Sequence, residues 1–156
     1  MRTQRPSQLA ESNRYGTELA IVGTLTNFYF QDPISYSSRD PAVLANKFHE
    51  DLRNEIDPRL RNRVCMYVAA VFADICERAG VGEVCVVRGR FTNSFNITSV
   101  HHWNYDNRSG LYIDAMIADP VTFTDLPHGY KIVTPKLTSK QVLGVDLNSL
   151  DICGPS

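Results

Sequence analysis

Apolar and polar positions alternate differently in successive stretches of the chain, and each pattern predicts its own element. Thr17 to Phe30 is dense in Ile, Val, Leu, Thr, Phe and Tyr, a composition that reads as strand rather than helix. Gln31 to Arg39, with Asp-Pro and three serines, reads as a loop. Asp40-Pro41 then starts a helix, because Asp caps free amides and Pro tolerates the first turn. Val43, Leu44, Phe48, Leu52 and Ile56 mark its apolar face, and Asp57-Pro58 stops it. After a basic connector, Arg59 to Arg63, a second helix opens at Cys65. Val68, Ala69, Phe72, Ile75, Cys76 and Ala79 recur at intervals of three and four, and Gly80 falls where a left-handed cap belongs.

Beyond Gly80 the period changes. Glu83 to Phe91 carries Val84, Cys85, Val86 and Val87 and reads as a buried strand, followed by a polar loop over Thr92 to Thr98. Ser99 to Tyr105 and Leu111 to Ala118 read as two strands joined through Asp106-Asn107-Arg108-Ser109-Gly110, a type I turn composition closed by glycine. Short strands are expected near Tyr130 to Val133 and Gln141 to Val145. The domain reading is a flexible arm over 1–16 and one domain over 17–156, the size at which a single core forms.

Charge and composition narrow the function classes. Sixteen basic against seventeen acidic residues give a net charge of -1, which supplies no electrostatic attraction to nucleic acid or an anionic membrane. The polar start of the chain lacks the apolar run of a secretory signal, so the expectation is a cytoplasmic protein with reduced thiols, or one exported as an effector or toxin without such a signal. The four cysteines contain no CxxC pair, and no paired His or Cys spacing points to zinc; neither a metal nor another cofactor is expected.

Three residue types in chain order carry the candidate chemistry: Cys65, the His101-His102 pair, and Asp114. A thiol at the start of a helix meets the positive end of the dipole, with Arg61 and Arg63 acting in the same direction, and its pKa should fall. Adjacent histidines on a strand point to opposite faces, so only His101 shares a face with Trp103. A four-residue hairpin loop aligns His101 with Asp114, whereas a three-residue loop selects His102; glycine at the end of the turn favours the first. A carboxylate among Leu111, Tyr112, Ile113 and Met116 needs a partner, and an imidazole is one.

The stretches Cys65 to Val81, Val86-Val87-Arg88-Gly89, His101-His102-Trp103-Asn104 and Leu111-Tyr112-Ile113-Asp114 together resemble the transglutaminase-like superfamily of papain-fold cysteine enzymes. That resemblance covers about residues 61 to 120. It implies an α+β, papain/transglutaminase-like fold with the nucleophile helix packed against an antiparallel sheet. Cys65 becomes the nucleophile, His101 the base and Asp114 the acid that orients it. The family's small residue two before the cysteine is Arg63 here, and its proline after the acid is Ala115. Its second oxyanion donor is not assigned; Asn27, Gln31, Asn62 and the Cys65 backbone amide are the candidates. The implied activity is attack on an amide of a protein or peptide, with a thioester on Cys65, leading to hydrolysis, glutamine deamidation or transamidation. An arylamine N-acetyltransferase-like acyl transfer uses the same three residues. From a different class comes a non-catalytic binding module on the same fold. Oligomeric state is not legible.

Overall fold

The computed structural model describes residues 14–55, 61–116, 121–123, 129–133 and 136–143. Helix α1 spans Arg14–Gln31, a 3-10 turn Pro33–Tyr36, α2 Pro41–Glu55 and α3 Arg61–Arg78. Strands β1 (Val84–Thr92), β2 (Thr98–Asp106), β3 (Leu111–Asp114), β4 (Val121–Phe123) and β5 (Tyr130–Ile132) follow, then a short α4 (Ser139–Leu143). The class is α+β. The five strands form one antiparallel sheet in the order β4-β3-β2-β1-β5. Among the described residues no helix is long and apolar enough to cross a membrane.

The stretch expected as a strand over Thr17 to Phe30 is α1, a correction with a clear cause. Val22, Leu25 and Phe28 are buried at spacings of three, a helical stripe, and the Thr26 hydroxyl donates back to the Val22 and Gly23 carbonyls. β-Branched and aromatic composition suggested a strand, but one buried stripe against α3 decides the state. Residues 1–13 of the expected arm lie outside the described residues, and Arg14–Gly16 begin α1.

Helix α2 starts as expected, with Asp40 Oδ1 accepting from the Ala42 amide at 3.0 Å. Its buried face is Leu44, Ala45, Phe48, His49 and Leu52; Val43 is exposed, and Ile56 lies outside the described residues. Helix α3 ends where predicted: Gly80 has φ +92° and the Val81 amide donates to the Cys76 carbonyl at 2.7 Å. Its start is a correction, since the helix is already formed at Arg61 and the cysteine does not open it.

α3 is the central element. Val64, Val68, Val71, Phe72 and Ile75 pack with the apolar residues of α1 and α2, while Ala69, Ala70 and Ala73 pack with Val86 of β1. Each large apolar side chain buried there contributes about 1.5–3 kcal/mol. The alanines let the sheet approach closely enough for Asn104 of β2 to donate from Nδ2 to the Ala69 carbonyl at 2.8 Å and the Cys85 carbonyl at 3.1 Å. A buried amide thereby fixes the cysteine helix against the histidine strand.

The segment expected as a strand from Gln141 to Val145 is α4 where it is described. Thr138 Oγ1 accepts from the Gln141 amide and Gln141 Oε1 from the Thr138 amide, at 3.1 and 2.9 Å, a reciprocal cap that starts a helix. At the edge of β1 away from β2, Gly89 permits β5 to dock. A Cβ there would overlap the Lys131 carbonyl oxygen and come within 2.6 Å of the Trp103 ring. Gly89→Ala should therefore cost about 3 kcal/mol, the upper part of the overpacking range, because backbone must move. Urea unfolding would check this; a loss below about 1 kcal/mol would show that β5 yields without cost.

Candidate active site

The hairpin loop decides which histidine meets the acid. Asp106 pairs with Leu111, leaving the four residues Asn107 to Gly110 as the loop. Asp106 holds it: its Oδ1 accepts from the Arg108 amide at 3.1 Å, its Oδ2 from the Ser109 hydroxyl at 2.6 Å, and its carbonyl from the Gly110 amide at 2.8 Å. Gly110 takes φ +75°, as the closing position requires. With Asn104 opposite Ile113, Trp103 and Asp114 share a face, and His101 lies on it one diagonal step away.

His101 Nε2 and Asp114 Oδ2 are 2.8 Å apart. An ionised carboxylate only accepts, so Nε2 carries the proton and Nδ1 is the nitrogen left for the sulfur. Asp114, fully buried, also accepts from the Tyr130 hydroxyl at 2.8 Å and, on Oδ1, from the Met116 amide at 3.0 Å. His49 Nδ1 donates to the carbonyl of the next residue, Ala115, at 2.8 Å, and so ties α2 to the end of β3. Trp103 stacks on His101 with centroids 5.7 Å apart, and Phe91 and Tyr130 flank the same ring. The imidazole is held by one ion pair and three aromatic side chains.

Cys65 is buried at 8 % exposure. Burial pushes its thiol up, but hydrogen bonds to His101 and His102 together with their charge outweigh burial and bring it down to about 6. His101 moves the opposite way: burial lowers it, while Asp114 and then Cys65 raise it to about 9. Between those values a thiolate faces an imidazolium. The helix N-terminus is not the cause, contrary to expectation, because a full turn precedes Cys65 and the dipole acts within the first turn. For the same reason the Cys65 amide lies past the unpaired N–H groups of the helix start and is no oxyanion donor. Asn27 and Gln31 fall on α1, half-buried and exposed respectively. The side chains of Asn62, Arg61 and Arg63 fall outside the described residues.

His102 follows the same alternation: it shares with Asn104 the face of β2 turned to α3, and its Nδ1 lies 3.6 Å from Cys65 Sγ. Both imidazoles thus bear on the thiol, His102 by this contact. Arg88, paired across strands with His102, donates from Nε to His102 Nε2 at 3.1 Å. Sequence reasoning passed over Arg88 and Tyr130. Arg88 is a charge that directly follows the apolar run Val84 to Val87 and sits half-buried, which signals a required partner. Tyr130 reaches Asp114 through the β1–β5 pairing, for which the sequence carries no local sign.

The other cysteines are set apart from this chemistry. Burial raises the Cys76 and Cys85 thiols, and Cys153 lies outside the described residues. Among the described residues no group of His, Cys, Asp and Glu is arranged to hold a metal ion.

Tyr130→Phe isolates one bond to the acid. Losing a donor to a buried carboxylate should cost about 1.5–3 kcal/mol. The relieved carboxylate then holds the His101 proton more strongly, so the alkaline limb of activity should move to higher pH. Thermal unfolding and a pH–rate profile read both, and an alkaline limb shifted downward would contradict the assignment.

Comparison of the chain with known protein-family models, with curated proteins and with solved structures finds no match.

Proposed function

We propose that the chain is a cysteine-dependent acyl-transfer enzyme of the transglutaminase-like, papain-fold kind, acting on an amide of a protein or peptide through Cys65, His101 and Asp114. The observation that carries this reading is the His101–Asp114 pair at 2.8 Å beside a thiol brought down to about 6. The order of a cysteine helix, a histidine strand and an aspartate strand supports the fold assignment.

The thiolate attacks the amide carbon, and electron density moves onto the carbonyl oxygen. Collapse of that adduct breaks the C–N bond as His101 delivers its Nδ1 proton to the leaving nitrogen. The free amine or ammonia departs and a thioester remains on Cys65. Neutral His101, kept in the Nε2–H tautomer by Asp114, then accepts a proton from water, whose oxygen attacks the thioester carbon and releases the acid. The nearly covered sulfur favours a slender acyl group, such as a glutamine side-chain amide, over a peptide bond in the middle of a folded chain.

Ammonia release from glutamine-containing peptides, with intact-mass detection of the acylated protein, tests the reaction. The expected result is ammonia formation that disappears on alkylation of Cys65. Iodoacetamide reactivity of Cys65 no greater than that of a free thiol between pH 6 and 7 would sink this reading. A non-catalytic protein-binding module on the same fold draws support from Phe95 and Ile97, exposed on the β1–β2 loop, and from Val100 beside His101. It is selected if biological activity survives Cys65→Ala.

A further inference from the structure

The acyl-transfer mechanism uses one imidazole, yet two contact the sulfur. His102 is 6 % exposed, with Nδ1 3.6 Å from Cys65 Sγ and Nε2 3.1 Å from Arg88 Nε. A guanidinium has only donors and stays protonated. His102 Nε2 must therefore present its lone pair to Arg88, and the ring proton of the neutral imidazole sits on Nδ1, pointing at the sulfur.

We propose that His102 is a second catalytic residue, a fixed Nδ1–H donor to the Cys65 thiolate, and that Arg88 is the positioning residue that holds its ring in that orientation. This rests on Cys65 being the nucleophile of the acyl-transfer reaction. The roles of the two rings then divide. His101, with Asp114 and Tyr130 behind it, gains and loses the proton; His102, with Arg88 behind it, holds charge on sulfur without moving one. Arg88 is suited to this because β1 pairs it directly opposite His102, so both rise from the same face of the sheet. The site retains a donor to the thiolate even above the pH at which His101 loses its proton.

The first measurement needs no variant. In the full wild-type chain with nitrogen-15-labelled histidine, NMR should show His102 at neutral pH with protonated Nδ1 and unprotonated Nε2; the opposite tautomer, or a mixture of the two, overturns the proposal. The second measurement is the pH dependence of iodoacetamide alkylation of Cys65 in variants shown by circular dichroism to be folded. His102→Leu should raise the inflection by about one pH unit, a roughly tenfold loss of thiolate on the acid side. His102→Asn, whose amide N–H takes the place of Nδ1–H, should restore most of it. Arg88→Met should lose the single-tautomer NMR signature of His102, and Arg88→Lys, which keeps a donor, should retain most of it. An unchanged inflection in folded His102→Leu overturns the proposal. A wild-type Cys65 that reacts like a free thiol sinks the acyl-transfer reading instead, and the NMR result separates the two failures.

Discussion

Cys65→Ala should abolish acyl transfer while leaving the fold in place. The sulfur supplies the electron pair that becomes the thioester bond, and neither imidazole substitutes for it. The loss in kcat/KM is expected on the order of 10^4- to 10^6-fold, the scale seen when a nucleophile is removed from a working triad. Stability should change little. A buried sulfur is exchanged for a smaller apolar group next to alanine-rich packing, at a cost of about 1 kcal/mol, which moves Tm by about 2–4 °C in a chain of this size. Ammonia release and differential scanning calorimetry on the same preparation separate the two effects. Activity within tenfold of wild type would remove Cys65 from the mechanism.

Asp114→Asn should be nearly as damaging to activity, and more damaging to the fold. The carboxylate accepts three bonds, two of them on Oδ2 from His101 and Tyr130. An amide must set its NH2 against at least one of those donors or leave the Met116 amide unpaired. A cost of about 2–4 kcal/mol follows from a buried group left unsatisfied. The chemical effect is larger. Without the charge that raises it, His101 falls from about 9 toward the ordinary imidazole value, and an amide donor turned to Nε2 drives the remaining proton onto Nδ1, away from where the base needs its lone pair. A loss of kcat on the order of 10^3- to 10^4-fold is expected.

The pH profile carries the signature of both groups. Cys65 is lowered to about 6, so acidification through that value removes the thiolate; His101 is raised to about 9, so alkalinisation through that value removes the imidazolium. Wild-type kcat/KM should therefore be bell-shaped between about 6 and 9, with both limbs belonging to the coupled pair. In Asp114→Asn the alkaline limb should move down and narrow the bell. A limb that stays in place would show that Asp114 does not set the imidazole's protonation.

Local chemistry made the two helices after Arg39 and the hairpin legible in the sequence. Asp40-Pro41, Gly80 and the Asp106-to-Gly110 turn act within one or two turns of chain, and an even loop is enough to turn His101 toward Asp114. α1 was not legible, because its composition belongs to strands and only the spacing of Val22, Leu25 and Phe28 belongs to a helix. The start of α3 is obscured by Arg61, Asn62 and Arg63 in place of an acidic first turn. α4 carries its sign in the Thr138–Gln141 cap, against a composition around it that reads as strand. Arg88 and Tyr130 join the site through cross-strand register, which depends on how far separate segments slide before they pair.

β5 has a kinetic consequence as well. It is the outermost strand beside β1, and Gly89 pairs with Ile132 from far along the chain, so its docking closes a long loop, a slow event compared with helix formation or the closing of a tight hairpin. Until it docks, Asp114 lacks the Tyr130 hydroxyl and His101 lacks one wall of its aromatic enclosure. The acid and its imidazole thus take their final setting last, with the closing of an edge strand, and the time course of Cys65 alkylation during refolding reports how that final step tunes the thiol.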